Sequence, residues 1–371
     1  MKIRPVILCG GAGTRLWPQA KNNQVKQFID FGGWSLLEKT LYRVKGSTFD
    51  YPIISTNFKY LKKVRSYLKK FKFKKYKIIL EPAKKNTAPA ILSSALIKDI
   101  PSQQPLMFLA ADHLIEKVSL FNKAINKNKS NLNNQNIFIF GIKPTEPSSE
   151  YGYFLTKKIK ANINKVTKFI EKPKKNKAKQ IIKKKGYWNS GMFFIRKDSL
   201  INNFKKYQPN IYKNCLKSVS KAKLKNNTYH LNKASFLKVT EKSFDYAILE
   251  KAKEINAIKL DIPWSDLGSW REISKIYKKN KSKYFKKKNV YYRPWGRYVN
   301  LFKGQNFLVK ELTVNSRSSI SLQKHHHRSE HWMITQGKPK ITINRKKFFK
   351  KENDSVFIPT GSIHRIENLY K

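Results

Sequence analysis

The feature that most constrains the fold is a junction between a short apolar run and a glycine-rich turn near the N-terminus. Residues 6–9 are apolar and β-prone, and the sequence G-G-A-G follows them directly. A short apolar run that stops at a glycine cluster is typical of a buried strand that ends in a tight turn. The junction therefore predicts the opening strand of an α/β domain.

Further short apolar runs repeat this pattern through the first half of the chain. They lie at residues 52–55, 77–80, 106–110 and 137–141. The intervals between them are long enough for helices, and residues 87–99 fit one. Strands that alternate with helices predict a mainly parallel sheet with both faces covered.

The character of the sequence changes from about residue 291. Close-spaced runs typical of strands follow, without a helical pattern between them, at residues 307–312, 319–322, 332–335, 340–343 and 355–358. This pattern predicts an all-β module, and the lysine-rich segment 277–288 is typical of a linker. A chain of 371 residues exceeds the usual size of one core, so we predict two domains, residues 1–280 and residues 281–371.

The chain carries a strong positive charge, +56 from 79 Lys and Arg against 23 Asp and Glu. Such a field attracts nucleic acids, anionic lipids and phosphorylated metabolites. Lysine outnumbers arginine, and Asn and Ile are frequent, which is the composition that an AT-rich genome imposes on tolerant surface positions. No nucleic-acid-binding signature accompanies the charge, so we predict no specific nucleic-acid partner.

Cysteine content indicates a reducing compartment, and the pattern of hydropathy indicates a protein without a signal peptide or a membrane span. Cys9 and Cys215 are the only cysteines, too few for a disulfide framework and without the spacing of a zinc site. The first apolar run is too short for the core of a signal peptide, and no apolar run of about 18 residues follows it. We therefore expect a cytoplasmic protein that does not enter a membrane.

The glycine-rich turn at residues 10–16 also has the chemistry of a phosphate-binding loop. It lacks the last glycine of a dinucleotide-binding fingerprint and the Gly-Lys-Ser/Thr ending of a P-loop. Its glycines still allow backbone N–H groups to approach an anion, while Arg15 offers a bidentate guanidinium and Lys26 a point charge. The alternative is a tight strand-to-helix turn that binds nothing.

An ordered series of motifs resembles those of one enzyme family. The sequence G-G-A-G-T-R-L-W-P at residues 10–18, with K-Q-F at 26–28, resembles the signature of sugar-nucleotide pyrophosphorylases. Its W-P pair resembles the pair found in the mannose-1-phosphate guanylyltransferase branch of that family. Further segments resemble family motifs in the same order: E-P at 81–82, N-T-A-P-A at 86–90, A-D-H at 111–113, Y-G-Y at 151–153, F-I-E-K-P at 169–173, W-N-S-G-M-F at 188–193, S-F-D-Y at 243–246 and W-S-D-L-G-S-W at 264–270. The resemblance implies a Rossmann-like, glycosyltransferase-A-like α/β fold with a mixed sheet.

The resemblance also implies a reaction and a set of site residues. The reaction is transfer of GMP from GTP to mannose 1-phosphate, with GDP-mannose and pyrophosphate as products. Asp112 and Asp266 would hold Mg²⁺ or Mn²⁺, and Arg15 and Lys26 would be further catalytic residues. The nucleotide is expected against Leu8, Gly10, Gly11, Gly13, Thr14, Glu81, Asn86 and Thr87. The sugar phosphate is expected against Gly152, Glu171, Lys172 and Asn189.

The residue pattern itself supports the two aspartates as metal ligands. Asp112 follows an apolar run, so it is expected at the carboxyl end of a strand, where open α/β sheets bind ligands. Asp266 lies in a loop in which Gly268 permits a sharp turn. The alternatives are a helix cap for Asp112 and a simple turn for Asp266. The attacking phosphate is already ionised and needs no general base, so we expect His113 to be structural.

Some observations keep other functions open. Val25 stands where the family usually has proline, and Ser149-Glu150 stand where it usually has Thr-Gly. The alternatives are a thymidylyl- or uridylyltransferase that uses glucose 1-phosphate, a cupin-type isomerase or metal-binding regulator joined to an inactive transferase domain, and a nucleic-acid-binding protein.

The C-terminal module resembles a cupin barrel, through H-H-H-R-S-E-H at residues 325–331 and P-T-G-S-I-H at 359–364. Alternation along a strand would place His325 and His327 on one face. With Glu330 and His364 they form a predicted divalent-metal site, in which His331 is the alternative to Glu330.

The resemblance extends to bifunctional relatives in which such a cupin interconverts mannose 6-phosphate and fructose 6-phosphate. Because His364 lies close to the last residue, Lys371, we expect a partial barrel without its closing strands. An open, wet module of this kind is expected to be structural or regulatory and to lack isomerase activity. We also expect it to pair with an identical chain through residues 340–371, which would form a homodimer.

Overall fold

A computed structural model describes residues 1–11, 25–28, 33–160, 163–268, 290–303 and 306–370 of the chain. These residues form two compact units, of which the first ends at Asp266 and the second begins at Leu267. The predicted domain boundary at residue 280 lies outside the described residues, as do Gly13, Thr14 and Arg15.

The first unit combines one large sheet and one short two-stranded ribbon with α-helices. Its strands are β1 Arg4–Cys9, β2 Ile53–Asn57, β3 Lys77–Glu81, β4 Pro105–Ala110, β5 Leu114–Ile115, β6 Ile137–Ile142, β7 Tyr153–Lys160, β8 Ile163–Ile170, β9 Tyr187–Arg196, β10 Lys223–Lys225, β11 Thr228–His230, β12 Ile255–Leu260 and β13 Trp264–Ser265. Its α-helices are α1 Leu36–Arg43, α2 Leu61–Lys70, α3 Thr87–Ala95, α4 Val118–Asn128, α5 Lys175–Lys183, α6 Lys197–Tyr207, α7 Pro209–Ser220 and α8 Lys233–Leu237. Single turns of 3₁₀ helix lie at Lys26–Phe28, Phe58–Tyr60 and Lys129–Asn131, and a π-helical turn lies at Asp245–Leu249.

The apolar runs of the first half of the chain are strands, as predicted. They lie in β1, β2, β3, β4 and β6, and the helix predicted at residues 87–99 is α3, which ends at Ala95. These predictions succeed because a buried strand of a sheet that is covered on both sides is apolar along its whole length.

The direction of the strands differs from the prediction made from their alternation with helices. The 11-stranded sheet has the order β10-β11-β3-β2-β1-β4-β9-β6-β12-β8-β7. Strands β3, β2, β1 and β4 are parallel, whereas β9 lies antiparallel between β4 and β6, and β7 is antiparallel to β8. The mixed sheet implied by the family resemblance is therefore confirmed, and the mainly parallel sheet is wrong. Short connections such as that between β7 and β8 require antiparallel pairing, which a pattern of apolar runs does not reveal.

Both faces of the large sheet are covered, as predicted. Val6 belongs to one core cluster and its neighbour Ile7 to the other, because successive side chains of a strand point to opposite faces. Among the described residues, no helix has the length and apolar character that a membrane crossing requires.

The parallel strands bring three predicted site residues to one edge of the sheet. Gly10 follows β1, Glu81 ends β3, and Asp112 lies just beyond β4. The hydroxyl of Thr56, near the end of β2, donates to the backbone carbonyl of Cys9 (2.9 Å) and ties two of these strand ends together. Ligands bind at this carboxyl edge in open α/β sheets.

The second unit contains only strands among its described residues. These are β14 Val290–Arg293, β15 Gly296–Lys303, β16 Leu308–Val314, β17 Ser318–Ser319, β18 Gln323–Lys324, β19 Glu330–Met333, β20 Lys340–Ile343, β21 Lys346–Phe349, β22 Ser355–Ile358 and β23 Ile363–Asn368. They form a β14-β15-β16 sheet, a β19-β22 pair, and a sheet in which β23 lies between β20 and the short strands β17 and β18. The predicted all-β module is confirmed.

An apolar cluster lies within the described part of the second unit. Its buried residues are Ile334, Ile341, Val356 and Ile358, with Trp332, Ile343, Phe348 and Ile366 packed against them. Within the described part of its sheet, β21 pairs with β20 alone and is therefore an edge strand.

Candidate functional site

The end of β1 and the end of β3 form the first part of the site. A Cβ atom placed on Gly10 would lie 3.9 Å from Oε1 of Glu81, at van der Waals distance, so the start of the glycine loop lies beside this carboxyl group. Ser55 on β2 donates its hydroxyl to the same Oε1 (2.6 Å). Burial raises the pKa of Glu81 to about 7, against the lowering effect of the Ser55 hydrogen bond. Near neutral pH this group is therefore able to donate as well as to accept a hydrogen bond.

The loop of Gly10 and Gly11 is held by a residue of the next motif. Gln27 donates its side-chain amide to the carbonyl of Gly11 (3.3 Å). Leu8, the remaining predicted nucleotide contact on β1, is half-buried and pairs with Ser55 and Ala110 of the neighbouring strands. The loop therefore begins between two strands that fix its position.

Asn86 caps the helix that follows Glu81, and Thr87 is the first residue of that helix. Asn86 has a positive φ of 67°, and its side chain accepts from the backbone N–H of Thr87 (2.9 Å). The Thr87 hydroxyl accepts from the backbone N–H of Phe244 (2.8 Å). Asn86 is thus the N-cap residue of α3. Thr87 joins the start of α3 to the segment that carries Asp245.

The second part of the site joins Lys26 to both predicted metal ligands. The ammonium group of Lys26, which is buried, donates to Oδ2 of Asp112 (2.9 Å) and to the backbone carbonyl of Asp266. Burial acts to raise the pKa of Asp112, but the Lys26 charge and hydrogen bond outweigh it and hold the pKa below its ordinary value. Asp112 is therefore an ionised carboxylate with oxygen lone pairs of the kind that Mg²⁺ prefers.

A two-stranded ribbon keeps the two aspartates together. Leu114 and Ile115 of β5 pair antiparallel with Ser265 and Trp264 of β13. Asp112 lies two positions before this ribbon on one strand, and Asp266 lies directly after it on the other. The ribbon explains how residues from distant parts of the chain reach one ammonium group.

Tyr151 completes this part of the site and was not assigned a role from the sequence. Its hydroxyl donates to Oδ1 of Asp266 (2.8 Å). Its ring packs against Trp188 at 4.7 Å and Trp264 at 5.7 Å between centroids, so the hydroxyl is held by its aromatic surroundings. The Y-G-Y motif contained this residue, but nothing in the motif indicates a partner 115 residues away.

His113 faces the interior of the first unit. Its ring lies edge-on to Trp264 at 5.4 Å, and burial lowers the pKa of its imidazole below the ordinary value. Arg43 donates to its backbone carbonyl (3.2 Å). These contacts agree with the structural role expected for this histidine.

The predicted sugar-phosphate residues lie close together around Gly152. Its carbonyl accepts from the backbone N–H of Asn189 (2.8 Å). A Cβ atom at this position would collide with the carboxylate of Glu171, so only glycine permits this close approach. Lys172 is largely exposed, and its Nζ lies 3.8 Å from Oε1 of Glu171.

Two further acidic residues belong to this cluster and were missed by the sequence analysis. Asn189 donates its side-chain amide to Oδ1 of Asp245 (2.8 Å), and the backbone N–H of Glu171 donates to Oε1 of Glu250 (3.4 Å). Burial, followed by the charge of Asp245, raises the pKa of Glu171 to about 7. Burial likewise raises the pKa of Asp245 to about 6. The S-F-D-Y motif marked Asp245, whereas no motif marked Glu250.

A cavity of about 870 Å³ connects predicted base and sugar residues. It is lined by Asn86, Thr87, Glu171, Lys172, Glu241, Lys242, Ser243, Asp245, Tyr246, Glu250 and Lys251. The structure therefore brings residues of the N-T-A-P-A and E-K-P motifs, far apart in sequence, to the wall of one cavity.

The positions that depart from the family pattern fit without conflict. Val25 is buried in the apolar core beside the turn of Lys26. Glu150 is exposed, and its backbone N–H donates to the hydroxyl of Ser148 (3.1 Å).

The second unit brings three predicted metal ligands together. His325, Glu330 and His364 place their ligand atoms within 4.8 Å of one another. His364 is only 1% exposed, and its Nδ1 lies 2.9 Å from the carbonyl of Ser362. If Nδ1 carries the proton of this contact, the Nε2 lone pair is free to bind a metal. Trp332 donates to Oε2 of Glu330 (2.9 Å) and orients that carboxylate.

The inclusion of His327 in this metal site is wrong. Strand β18 ends at Lys324 and a bend follows at residues 326–327, so the alternation of a strand does not apply to residues 325–327. His327 is exposed, outside the group of ligand atoms. Between the two alternatives at the next motif, Glu330 belongs to the group and its strand neighbour His331 does not.

A cation already contacts two of the three groups. Arg328 lies with Nη2 2.7 Å from Nε2 of His325, and its Nε donates to Oε1 of Glu330 (3.1 Å). Burial acts to raise the pKa of Glu330, but the hydrogen bonds from Trp332 and Arg328 hold it below the ordinary value. Glu330 is therefore ionised at neutral pH, as a metal ligand must be.

Comparison with known proteins gives consistent similarities for both parts of the chain. Residues 4–283 match the nucleotidyl transferase family, and residues 279–371 match the mannose-6-phosphate isomerase C-terminal family. A mannose-1-phosphate guanylyltransferase of Salmonella typhimurium is 30% identical, over 99% of this chain and 92% of its own length.

Two solved structures are similar as well. One is described as a mannose-1-phosphate geranyltransferase from Thermus thermophilus, with a TM-score of 0.66 and 25% identity over 75% of this chain and 79% of that chain. The other is a mannose-6-phosphate isomerase from Helicobacter pylori, with a TM-score of 0.63 and 28% identity over 71% of this chain and 100% of that chain.

Proposed function

The chain belongs to the nucleotidyl transferase family, and we propose that it transfers GMP from GTP to mannose 1-phosphate, with GDP-mannose and pyrophosphate as products. The observation that carries this proposal is the joining of Lys26, Asp112 and Asp266 at one edge of the sheet. The choice of guanine and mannose is supported by the name of the relative that is similar over almost the whole chain.

The reaction joins two anions. A phosphate oxygen of mannose 1-phosphate attacks the α-phosphorus of GTP, a new P–O bond forms, and the bond to the β-phosphate oxygen breaks so that pyrophosphate leaves. The attacking oxygen is already ionised, so the protein has to align the phosphates and offset their charge. Lys26 supplies one such charge at the Asp112 carboxylate.

Asp112 and Asp266 are the residues that would hold Mg²⁺ or Mn²⁺. They fit this role because Asp112 is ionised and Oδ1 of Asp266 is oriented by the Tyr151 hydroxyl. When bound, such an ion supplies positive charge to the phosphates and orients them. The chain's own contribution is to keep both carboxylates in place through the β5–β13 ribbon.

The sugar phosphate is assigned to the Gly152 side of the site. In its ionised form Glu171 accepts hydrogen bonds from sugar hydroxyls, and Lys172 offers a charge to the phosphate. Asp245 orients the Asn189 amide beside them. Gly152 leaves room for Glu171 to reach this position.

The nucleotide is assigned to the loop after β1. Gly10 is half-buried and Gly11 exposed there, and backbone N–H groups of such a loop bind phosphate, while Glu81 and Asn86 offer polar atoms for the base. Gly13, Thr14 and Arg15 continue the same loop in sequence, and we assign them to the triphosphate on the motif alone.

A substrate screen tests the proposal. Each of the four nucleoside triphosphates is combined with mannose, glucose or fucose 1-phosphate, and released pyrophosphate is measured. The expected result is turnover with GTP and mannose 1-phosphate well above every other pair. Preferred turnover of dTTP or UTP with glucose 1-phosphate would instead support the alternative transferase.

For the second unit we propose a divalent-metal site formed by His325, Glu330 and His364, in a structural or regulatory role. The competing function is interconversion of mannose 6-phosphate and fructose 6-phosphate, which the cluster and the matched C-terminal family favour. Incubation with mannose 6-phosphate and Mn²⁺, Zn²⁺, Co²⁺ or Fe²⁺ decides between them. Turnover that is abolished by His364→Ala would establish the isomerase and overturn our expectation.

We further propose that two identical chains associate through the second unit. Edge strand β21 offers unpaired backbone groups on one side within the described sheet. The mass of the full chain in solution, compared with that of a variant lacking residues 291–371, tests this. A dimer that persists in the shortened variant would contradict it.

A further inference from the structure

Arg43, the last residue of α1, is a charged side chain in an apolar environment. It is only 1% exposed, and its guanidinium carbon lies 5.8 Å from the centre of the Phe121 ring. Nη2 donates to the backbone carbonyl of His113 (3.2 Å). Its Nε and Nη1 have no hydrogen-bond partner in the part of the chain that the structure describes.

Such an arrangement lowers the stability of the fold. Burying a cation without a carboxylate partner is unfavourable, and replacing buried charged groups by apolar ones of similar volume is often neutral or stabilising. Burial lowers the pKa of Arg43 to about 9, which still leaves the guanidinium charged at neutral pH. An apolar side chain would fill this position at a lower cost in folding free energy, so packing alone does not explain why an arginine is present.

The single hydrogen bond of Arg43 reaches the site. His113 lies between Asp112 and the first residue of the β5–β13 ribbon. Its carbonyl therefore belongs to the turn from which the Asp112 carboxylate projects toward Lys26. A donor that fixes this carbonyl also fixes the position of Asp112.

We propose that Arg43 is a positioning residue for the transfer reaction, because it holds the turn that presents Asp112. This inference rests on the proposed function of the first unit. The guanidinium stabilises the reactive arrangement through the backbone of His113 and has no need to touch the substrates. Its stability cost is retained because a misplaced Asp112 slows the reaction.

Arg4 provides a matched control. It is also a buried arginine of the first unit, but it has a carboxylate partner, with Nη2 2.6 Å from Oδ2 of Asp50. Arg4→Met leaves Asp50 without its cation, so it is expected to lower the melting temperature while kcat per folded molecule stays unchanged. Arg43→Met is expected to show the opposite pattern.

The experiment compares the wild-type chain with Arg43→Met, Arg43→Lys and Arg4→Met in pyrophosphate release and thermal unfolding. Arg43→Met is expected to lower kcat about tenfold, with KM for GTP within about threefold of wild type and no loss of melting temperature. Arg43→Lys keeps a charged donor and is expected to recover most of the lost kcat.

The outcomes separate this inference from the proposed function. Wild-type kcat in Arg43→Met overturns the inference, and so does a lowered melting temperature with normal kcat per folded molecule, which would assign Arg43 a structural role. If Arg43→Met does not fold, Arg43→Leu, which also lacks the donor to the His113 carbonyl, takes its place, and wild-type kcat per folded molecule in that variant likewise overturns the inference. A wild-type chain that releases no pyrophosphate from GTP and mannose 1-phosphate refutes the proposed function, and the comparison is then made with the substrate pair that the screen identifies.

Discussion

The two units use side-chain cations in different ways at their candidate sites. In the first unit Lys26 is buried, and its ammonium group is held by both Asp112 and Asp266. In the second unit the side chain of Arg328 is 57% exposed where it contacts Glu330 and His325. Buried charge pairs are costly to break, whereas exposed pairs contribute little. Lys26 is therefore a fixed part of its site, whereas we expect a metal ion to displace Arg328.

The apolar packing beside the two sites differs as well. The ribbon that carries Asp112 and Asp266 packs on a sheet with an apolar cluster on each face. Among the described residues of the second unit, the apolar cluster that includes Trp332, a neighbour of His364, has four buried members. Functional groups are held most accurately by side chains that rigid packing supports. We therefore expect the site of the first unit to tolerate little change and the site of the second unit to tolerate more.

The largest expected effect is at the half-buried carboxylate of Asp112 in the first unit. Asp112→Asn removes the charge that faces Lys26 and the proposed metal ion, while the side chain keeps its size. We expect turnover of GTP and mannose 1-phosphate to fall at least about 10²-fold, which corresponds to about 2.7 kcal/mol in the barrier. Steady-state kinetics measure the effect, and circular dichroism checks that the fold is intact. Near-normal turnover with unchanged metal dependence would show that Asp112 is not a ligand.

The sequence predicted the positions of these residues better than their partners. Strand ends are local features, so apolar runs and glycine turns were sufficient to place Gly10, Glu81 and Asp112 at one edge of the sheet. The pairs Tyr151–Asp266 and Asn189–Asp245 span 115 and 56 residues. Such contacts depend on the topology of the mixed sheet, and the order of the apolar runs does not reveal that topology.

For the histidine motif, the sequence predicted the partners better than the local backbone structure. The four predicted ligands lie in short motifs, but which of their side chains lie together depends on where strand β18 ends. Because that strand stops at Lys324, the alternation expected for His327 does not apply, while His325, Glu330 and His364 of the two cupin-like motifs lie together. No sequence pattern indicated a role for Arg43, because an arginine at the end of a helix is common.

A second prediction concerns pH, at the acidic cluster of the sugar side. Burial and the charge of Asp245 raise the pKa of Glu171 to about 7, while Lys172 acts to lower it and Glu250 to raise it. The ionised form, which accepts sugar hydroxyls, therefore grows as pH rises through about 7. We expect KM for mannose 1-phosphate to fall up to about tenfold between about pH 6 and about pH 8.

Glu171→Gln provides the control for this pH dependence. It does not titrate, so any change of KM that remains in the variant belongs to the substrate's own phosphate or to other groups. An identical pH profile in wild type and variant would show that Glu171 does not face the sugar phosphate.

A third prediction compares the stability of the two units. Burial raises the pKa of Asp245 to about 6, so the folded state binds this proton more tightly than the unfolded chain, and stability is lost as pH rises through this range. Asp245→Asn removes that loss, and its side-chain oxygen still accepts from Asn189. The free energy of unfolding is expected to increase by about 1 kcal/mol at about pH 8 and to change little at about pH 4.

Glu330→Gln is the counterpart in the second unit. Burial acts to raise the pKa of Glu330, but its hydrogen bonds from Trp332 and Arg328 lower it, so its ionised form stabilises the fold above its unfolded pKa. This variant is expected to lose stability at about pH 8, where Asp245→Asn gains it. Urea titrations of both variants measure the two changes, and changes of the same sign would remove the contrast between the two sites.

The smallest expected effect tests whether Arg328 competes with a metal ion. Its guanidinium contacts Nε2 of His325 and Oε1 of Glu330, two of the three groups that a metal would need. Because the arginine is exposed, its removal by Arg328→Met loses little ion-pair energy and frees both groups, so Zn²⁺ or Mn²⁺ is expected to bind about threefold more tightly in calorimetric titrations. His327→Ala is expected to leave the affinity unchanged, and His364→Ala to abolish binding. Weaker binding in Arg328→Met would mean that Arg328 orients the ligands as Lys26 orients Asp112, and the two units would then use their cations in the same way.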